Sequence, residues 1–129
     1  MDQMILKHEL PHVISTQELP FGGIAHRFEG YRFGDVNASF FLVESPPGEG
    51  ARLHFHPYEE IFITLEGEAT FTVGDATIEA RAGQIVVAPA NVPHKFTNSG
   101  TGPLRQVDIH PSSRIQQTNI PEAARPRES

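Results

Sequence analysis

Gly48-Glu49-Gly50-Ala51-Arg52-Leu53-His54-Phe55-His56-Pro57-Tyr58-Glu59-Glu60-Ile61-Phe62-Ile63-Thr64-Leu65-Glu66-Gly67 is the stretch that decides the fold. Successive side chains of a β-strand point to opposite faces. On that period Arg52, His54 and His56 share one face and Ala51, Leu53 and Phe55 the other, until Pro57 forces a corner. Beyond the corner Glu60, Phe62 and Thr64 share a face, opposed by Ile61, Ile63 and Leu65. The titratable face cannot be the ordinary solvent face, because Phe62 would then stand outside with it. We therefore expect the His/Glu face to line an interior cavity. The aliphatic face is expected to be covered by other strands or by a second copy of the chain, since an apolar patch of that size is rarely left bare. A homodimer through that sheet follows as an expectation.

Outward from this stretch, no segment sustains an apolar pattern at helical spacing for three turns. Short β-branched and aromatic runs recur instead at 24–33, 38–44, 69–73, 76–80, 85–88, 94–98 and 104–110, each closed by Gly, Pro, Asn or Asp. Gly74-Asp75 reads as a tight hairpin turn, since both residues tolerate positive φ. The pattern is that of an all-β chain, a closed barrel or a two-sheet sandwich. We expect a single domain over 1–129 with its core at about 24–110. Residues 1–21 then form an N-terminal segment, and 111–129 a polar tail with disordered last residues, from which Ile115 and Ile120 could pin an arm to the body or to a partner.

Composition removes several classes. With no cysteine, disulfide frameworks, thiolate zinc sites, iron–sulfur clusters and thiol nucleophiles are excluded. Ten Lys+Arg against sixteen Asp+Glu leave a net charge of −6, which disfavours nucleic acid and anionic membrane as partners. The first nine residues cannot supply a signal-peptide core, and the apolar run 85–90 is far short of a membrane span, so a cytoplasmic protein is expected. No Gly-x-Ser-x-Gly turn or phosphate-cradling glycine loop is present.

His54 and His56, about 7 Å apart along one strand face, can both reach one ion. Glu60 opens the following strand and can return to the same point, and His94, behind the corner Pro89-Ala90-Asn91-Val92-Pro93, could close the shell. Imidazole with carboxylate suits one divalent transition ion among Mn, Fe, Co, Ni, Cu and Zn. Four ligands would leave two positions of an octahedral ion open, as Lewis-acid or oxygen-activating chemistry requires. Without a metal, a carboxylate buried among three imidazoles would be costly. Glu59 is the competing ligand, but its parity points it away.

The spacing Gly48-x5-His54-Phe55-His56-x3-Glu60-x6-Gly67 resembles the first motif of the cupin superfamily without a gap, and Gly83-x5-Pro89-Ala90-Asn91-x2-His94-x3-Asn98 resembles the second. Asn91 stands where that family usually has Gly; Asn tolerates the left-handed turn, so the corner is expected to survive. The resemblance implies an antiparallel, jelly-roll-like β-barrel of the cupin type, with six to eight conserved strands, and metal ligands at His54, His56, Glu60 and His94. It leaves the reaction open, because the superfamily includes dioxygenases, decarboxylases, sugar isomerases, sensory domains and storage proteins.

Four more residues are candidates for contact with a small-molecule substrate. Arg52 either holds an anionic group near the metal or stands exposed at the barrel rim. Tyr58 is either a hydrogen-bond donor behind a ligand or a surface ring. Phe62 and Phe96, with Phe28 and Phe40, are expected to fill the interior and form an apolar pocket wall. His26 and His110 are weighed as ligand contacts without being chosen, and His8 and His12 are set aside as terminal surface residues. The expected function is a metal-dependent enzyme acting on a small oxygen-bearing organic molecule, with Glu60 serving as ligand and catalytic base. By family habit oxygenase chemistry comes ahead of isomerisation or decarboxylation. The rival is a non-catalytic module that binds or senses a small ligand at the same metal.

Overall fold

The computed structural model describes residues 13–121. The short β-branched runs become strands β1 (Phe21–Gly22), β2 (Ala25–Glu29), β3 (Ser39–Ser45), β4 (Gly50–Phe55), β5 (Glu60–Glu66) and β6 (Glu68–Val73), followed by β7 (Ala76–Arg81), β8 (Ile85–Ala88), β9 (His94–Asn98), β10 (Leu104–His110) and β11 (Thr118–Asn119). All pair antiparallel. They build two sheets, in the orders β1-β2-β3-β10-β5-β8 and β11-β4-β9-β6-β7. The architecture is the all-β, jelly-roll-like barrel expected from the sequence. The core lies between the sheets, where Val43, Phe62 and Leu104 of one meet Ala69, Phe71 and Phe96 of the other.

Two backbone positions set the geometry around the later site. Gly50 begins β4 so close to β9 that a Cβ would lie 1.9 Å from the Phe96 carbonyl oxygen. Asn91 adopts φ 66°, the left-handed conformation expected of it, and its N–H donates to the His56 carbonyl at 2.7 Å. That bond ties the corner before β9 to the corner after β4.

The structure corrects three expectations. The run 24–33 is not one strand: β2 ends at Glu29 and a 3-10 turn, Gly30–Arg32, follows. The Gly30 carbonyl accepts from both Phe33 and Val36, which closes the chain too tightly for a strand to continue. Phe28 and Phe40 do not fill the interior; they pair across β2 and β3 with rings stacked at 4.7 Å, half-buried, on the side away from inward-facing Ala25, Ser39 and Val43. Phe41 takes the interior place instead and lines the main cavity. Arg52 does not share the ligand face, because β4 carries an extra residue between Ala51, opposite Phe96, and His54, opposite His94. This β-bulge turns Ala51 onto the core and leaves Arg52 exposed at the cavity mouth.

The segment after β10 is strapped to the body, one of the two arrangements expected of Ile115 and Ile120. Tyr31 N–H donates to the Ser113 carbonyl at 2.9 Å, Ile115 N–H to Glu29 Oε2 at 3.1 Å and Ile120 N–H to the Leu53 carbonyl at 3.1 Å, while β11 pairs with the end of β4. His8, His12 and the expected disorder of the last residues lie outside the described residues.

Candidate metal centre and cavity

Four strands bring the titratable residues to one end of the barrel. His54 ends the inward face of β4 directly opposite His94 at the start of β9. His56 follows β4 immediately, Glu60 opens β5, and His110 closes β10, the neighbour of β5. All five are buried. One ligand atom from each of His54, His56, Glu60 and His94 can be chosen so that all lie within 4.8 Å of one another. Bonds of about 2.1 Å to a first-row ion separate adjacent donors by roughly 3 Å and opposite donors by roughly 4.2 Å. The set therefore needs only small side-chain adjustments to take such an ion.

The imidazoles are oriented from behind. His54 Nδ1 donates to the Arg52 carbonyl, His56 Nδ1 to the Gln116 carbonyl at 2.7 Å and His94 Nδ1 to the Val92 carbonyl at 3.0 Å. A ring whose Nδ1 carries the donated proton presents an Nε2 lone pair on its other side. His94 and His56 Nε2 stand 2.9 and 3.0 Å from Glu60 Oε1, and His54 Nε2 stands at 3.9 Å. Among the described residues the buried His56 Nε2 has no hydrogen bond. Lone pairs and a carboxylate converging on one point, with an orphaned buried nitrogen among them, are the donor chemistry of a divalent transition-metal site. These four residues could hold such an ion.

Burial alone would raise the Glu60 carboxyl, but where no ion takes the place of their protons, N–H donation from the His110, His54, His56 and His94 rings holds it well below the ordinary carboxylate range. Asp108, on the inward face of β10, goes the other way: burial first, then the Glu60 charge, raise its carboxyl well above the usual value, against the Gln106 hydrogen bond. The Tyr58 hydroxyl is also raised, by burial first, with the Gln116 N–H opposing and the Glu60 and Glu29 charges adding.

Behind Glu60 lies a second chain of contacts. His110 Nε2 is 3.1 Å from Glu60 Oε2, off the line of a hydrogen bond, and His110 Nδ1 meets the Tyr58 hydroxyl at 2.7 Å. Gln116 N–H donates to the same hydroxyl at 3.1 Å, so the Tyr58 proton is directed at His110 Nδ1. The Tyr58 ring stacks on His56 at 5.2 Å. Tyr58 therefore stands behind two of the titratable rings, while Glu59 is exposed and turned away.

A cavity of about 760 Å³ opens beside the histidines. Phe41, Val43, Phe62 and Phe96 line it, with His54, Glu60, Asp108 and His110 as its polar wall. Arg52 and the strap residues Gln117, Asn119 and Ile120 line it too. His26 is remote, half-buried beside the exposed Phe21 ring.

Sequence reasoning weighed His110 without choosing it and never reached Asp108 or Gln106. The signal was present in β10, where Gln106, Asp108 and His110 alternate with Val107 and Ile109. The polar set is the buried one, as in β5, where Glu60, Phe62 and Thr64 face inward. Reading the apolar set as the core face hides it.

Comparison with known proteins places the chain. Residues 41–110 match the family described as the cupin domain. Over 75 residues the chain is 36% identical to the polyketide synthase CurC of Streptomyces cyaneus, covering 57% of this chain and 49% of that protein. Over 62 residues it is 36% identical to the protein SchB of Streptomyces halstedii, covering 47% and 45%. The chain spans about half the length of these curated relatives. Among solved structures, a Bacillus subtilis oxalate decarboxylase studied for its Mn(II) centres superposes with a TM-score of 0.71 at 22% identity, over 83% of this chain and 33% of that one. A Klebsiella pneumoniae protein with a double-stranded β-helix domain superposes with a TM-score of 0.66 at 22% identity, over 86% and 98%. At these identities the structures speak for the fold. The match at 41–110 takes in both motifs in full and more than half of the 129 residues, and the chain belongs to the cupin family.

Proposed function

We propose that this cupin is a metal-dependent enzyme that moves a proton on a small, oxygen-bearing organic substrate held in the 760 Å³ cavity. The observation that carries the reading is the set of three imidazoles with fixed Nε2 lone pairs around Glu60, in the wall of a cavity of ligand size. A divalent transition ion held by His54, His56, Glu60 and His94 would act as a Lewis acid on a substrate oxygen. His110 is the further titratable donor that faces both Glu60 and the cavity, so it gives or takes the substrate proton at Nε2. Tyr58 fixes its tautomer through Nδ1. Glu60 serves as ligand and as the acceptor nearest His110. Phe41, Phe62 and Phe96 keep water from the apolar end. Arg52, at the mouth, is positioned to meet an anionic group as the substrate enters. The name of the curated relative CurC, a polyketide synthase, adds oxygen-rich carbon skeletons to the candidate substrates.

Dioxygen activation is the second reading. Its support is the family resemblance and the largely apolar cavity wall beside the donors. Element analysis of protein prepared without a chelating tag, followed by turnover of a panel of oxygenated acids, ketones and phenols in an oxygen-electrode cell, separates the two. Turnover without oxygen consumption supports proton transfer, and stoichiometric uptake supports the oxygenase. Protein that takes up no transition metal from any of the six candidates overturns both.

We further propose that the outer face of the six-stranded sheet meets a second copy of this chain. Ile85, Val87 and Leu65 are 62%, 54% and 49% exposed there, next to half-buried Ile61, Ile63, Val107 and Ile109. A contiguous exposed apolar surface of this kind, rimmed by polar residues, is the form that an association surface takes. Among the described residues β8 also ends its sheet with an unpaired, uncharged edge, which a two-fold axis can pair antiparallel with itself.

A further inference from the structure

Asp108 is the buried titratable group that the metal centre does not use. It lies between Gln106 and His110 on the inward face of β10, and all three are buried. Polar side chains in a barrel otherwise walled by phenylalanine and valine are costly to place there unless each has a partner. Gln106 is held at both ends: Oε1 accepts from Thr64 Oγ1 at 3.5 Å, and Nε2 donates to Asp108 Oδ1 at 2.9 Å. This pins the Asp108 carboxyl in the cavity wall, opposite Phe62 in the strand register.

The register also fixes a spacing. Two residues along β10 bring the chain from Asp108 to His110, a Cα separation of about 7 Å. The cavity therefore has two polar stations on one wall, the Asp108 carboxyl and the His110–Glu60 pair, with Phe41, Phe62 and Phe96 around them. That span suits one ring with an oxygen at each end, and aromatic walls suit a flat body.

We propose that Asp108 binds a hydroxyl of the substrate, and that the substrate is a flat, ring-sized molecule with oxygens at opposite ends. A carboxyl can meet a hydroxyl in either protonation state, so the recognition needs no particular charge on Asp108. The inference rests on the metal-enzyme reading above, with the second oxygen directed to the histidine end.

The test is calorimetric titration of zinc-loaded protein with hydroquinone, phenol and catechol, zinc being chosen because it is not redox-active. Hydroquinone should bind about tenfold more tightly than phenol, the difference worth one good hydrogen bond. Catechol, whose adjacent oxygens cannot span the two stations, should bind with an affinity that Asp108→Leu leaves unchanged. Asp108→Leu should bring hydroquinone to within about twofold of phenol with zinc stoichiometry unchanged, and Asp108→Asn, whose amide still meets a hydroxyl, should keep most of the preference. Equal affinities in the natural protein, or a preference undiminished in Asp108→Leu, overturn the inference while bound zinc leaves the metal reading standing. Failure of the natural protein to bind zinc overturns the metal reading and the inference with it.

Discussion

Replacing Tyr58 by Phe removes one oxygen and leaves the ring that stacks on His56, so packing changes little and the hydroxyl is tested alone. Two hydrogen bonds go with it, to His110 Nδ1 at 2.7 Å and from Gln116 N–H at 3.1 Å. They are not equal. Gln116 is exposed, and its N–H regains water, so that loss counts about 0.5 kcal/mol. His110 is fully buried and its Nδ1 is left without a partner, which costs about 1–2 kcal/mol. The sum is about 2 kcal/mol. For a chain of this size roughly 3–5 °C accompanies each kcal/mol, so Tyr58→Phe should lower Tm by about 8 °C. Metal content should stay at the natural value, because Tyr58 is not among the four candidate ligands. Turnover should fall by about 10–100-fold, the range for groups that orient a site from behind. Scanning calorimetry, element analysis and initial rates on one preparation read all three. A variant with unchanged Tm and unchanged rate would show that the Tyr58–His110 contact orients nothing, and His110 would lose its assigned role.

His94→Ala should abolish stoichiometric metal binding while far-ultraviolet circular dichroism stays close to the natural spectrum; retained metal would mean that the fourth ligand is misassigned. The Asp108 carboxyl is raised in the folded state, so its contribution to stability is present below the unfolded value and is lost as pH rises through the folded one. Asp108→Asn should therefore flatten the alkaline side of the Tm–pH curve and raise Tm at neutral pH. Glu60 is held low, so its contribution is present above the ordinary carboxylate range and is lost as pH falls through the folded value; metal-free protein should destabilise steadily in acid, and Glu60→Gln should remove that slope. Val87→Lys on the exposed edge strand should convert a sedimenting dimer to monomer with no change in metal content; an unshifted sedimentation coefficient would place the second copy elsewhere or nowhere.

Much of this architecture was legible before any coordinates, because β-branched runs and their Gly, Pro and Asn punctuation are local signals. The bounds of β8, β9 and β10 coincide with the runs at 85–88, 94–98 and 104–110. Asn91 behaved as its conformational tolerance required. The four candidate metal donors, too, stood at spacings that a reader can interpret. What escaped was set by relations between strands. The bulge that turns Arg52 outward exists only as a mismatch between β4 and β9, and a strict period of two cannot contain it. Phe40 and Phe41 differ by one residue, and only the pairing of β3 with β10 and β2 says which one faces inward. Asp108 was hidden because the apolar residues of β10 face out.

The strap across the barrel end reaches the site almost wholly through main-chain atoms. The Gln116 carbonyl holds His56, the Gln116 amide holds Tyr58 and the Ile120 amide holds Leu53. The side chains of Gln117, Asn119 and Ile120 meanwhile border the cavity. Support and selectivity thus reside in different atoms of one short segment. Libraries confined to positions 117, 119 and 120 can reshape the entrance for new guests while the imidazole geometry stays as it is. Proline at 116 or 120, by deleting an amide, would do the reverse.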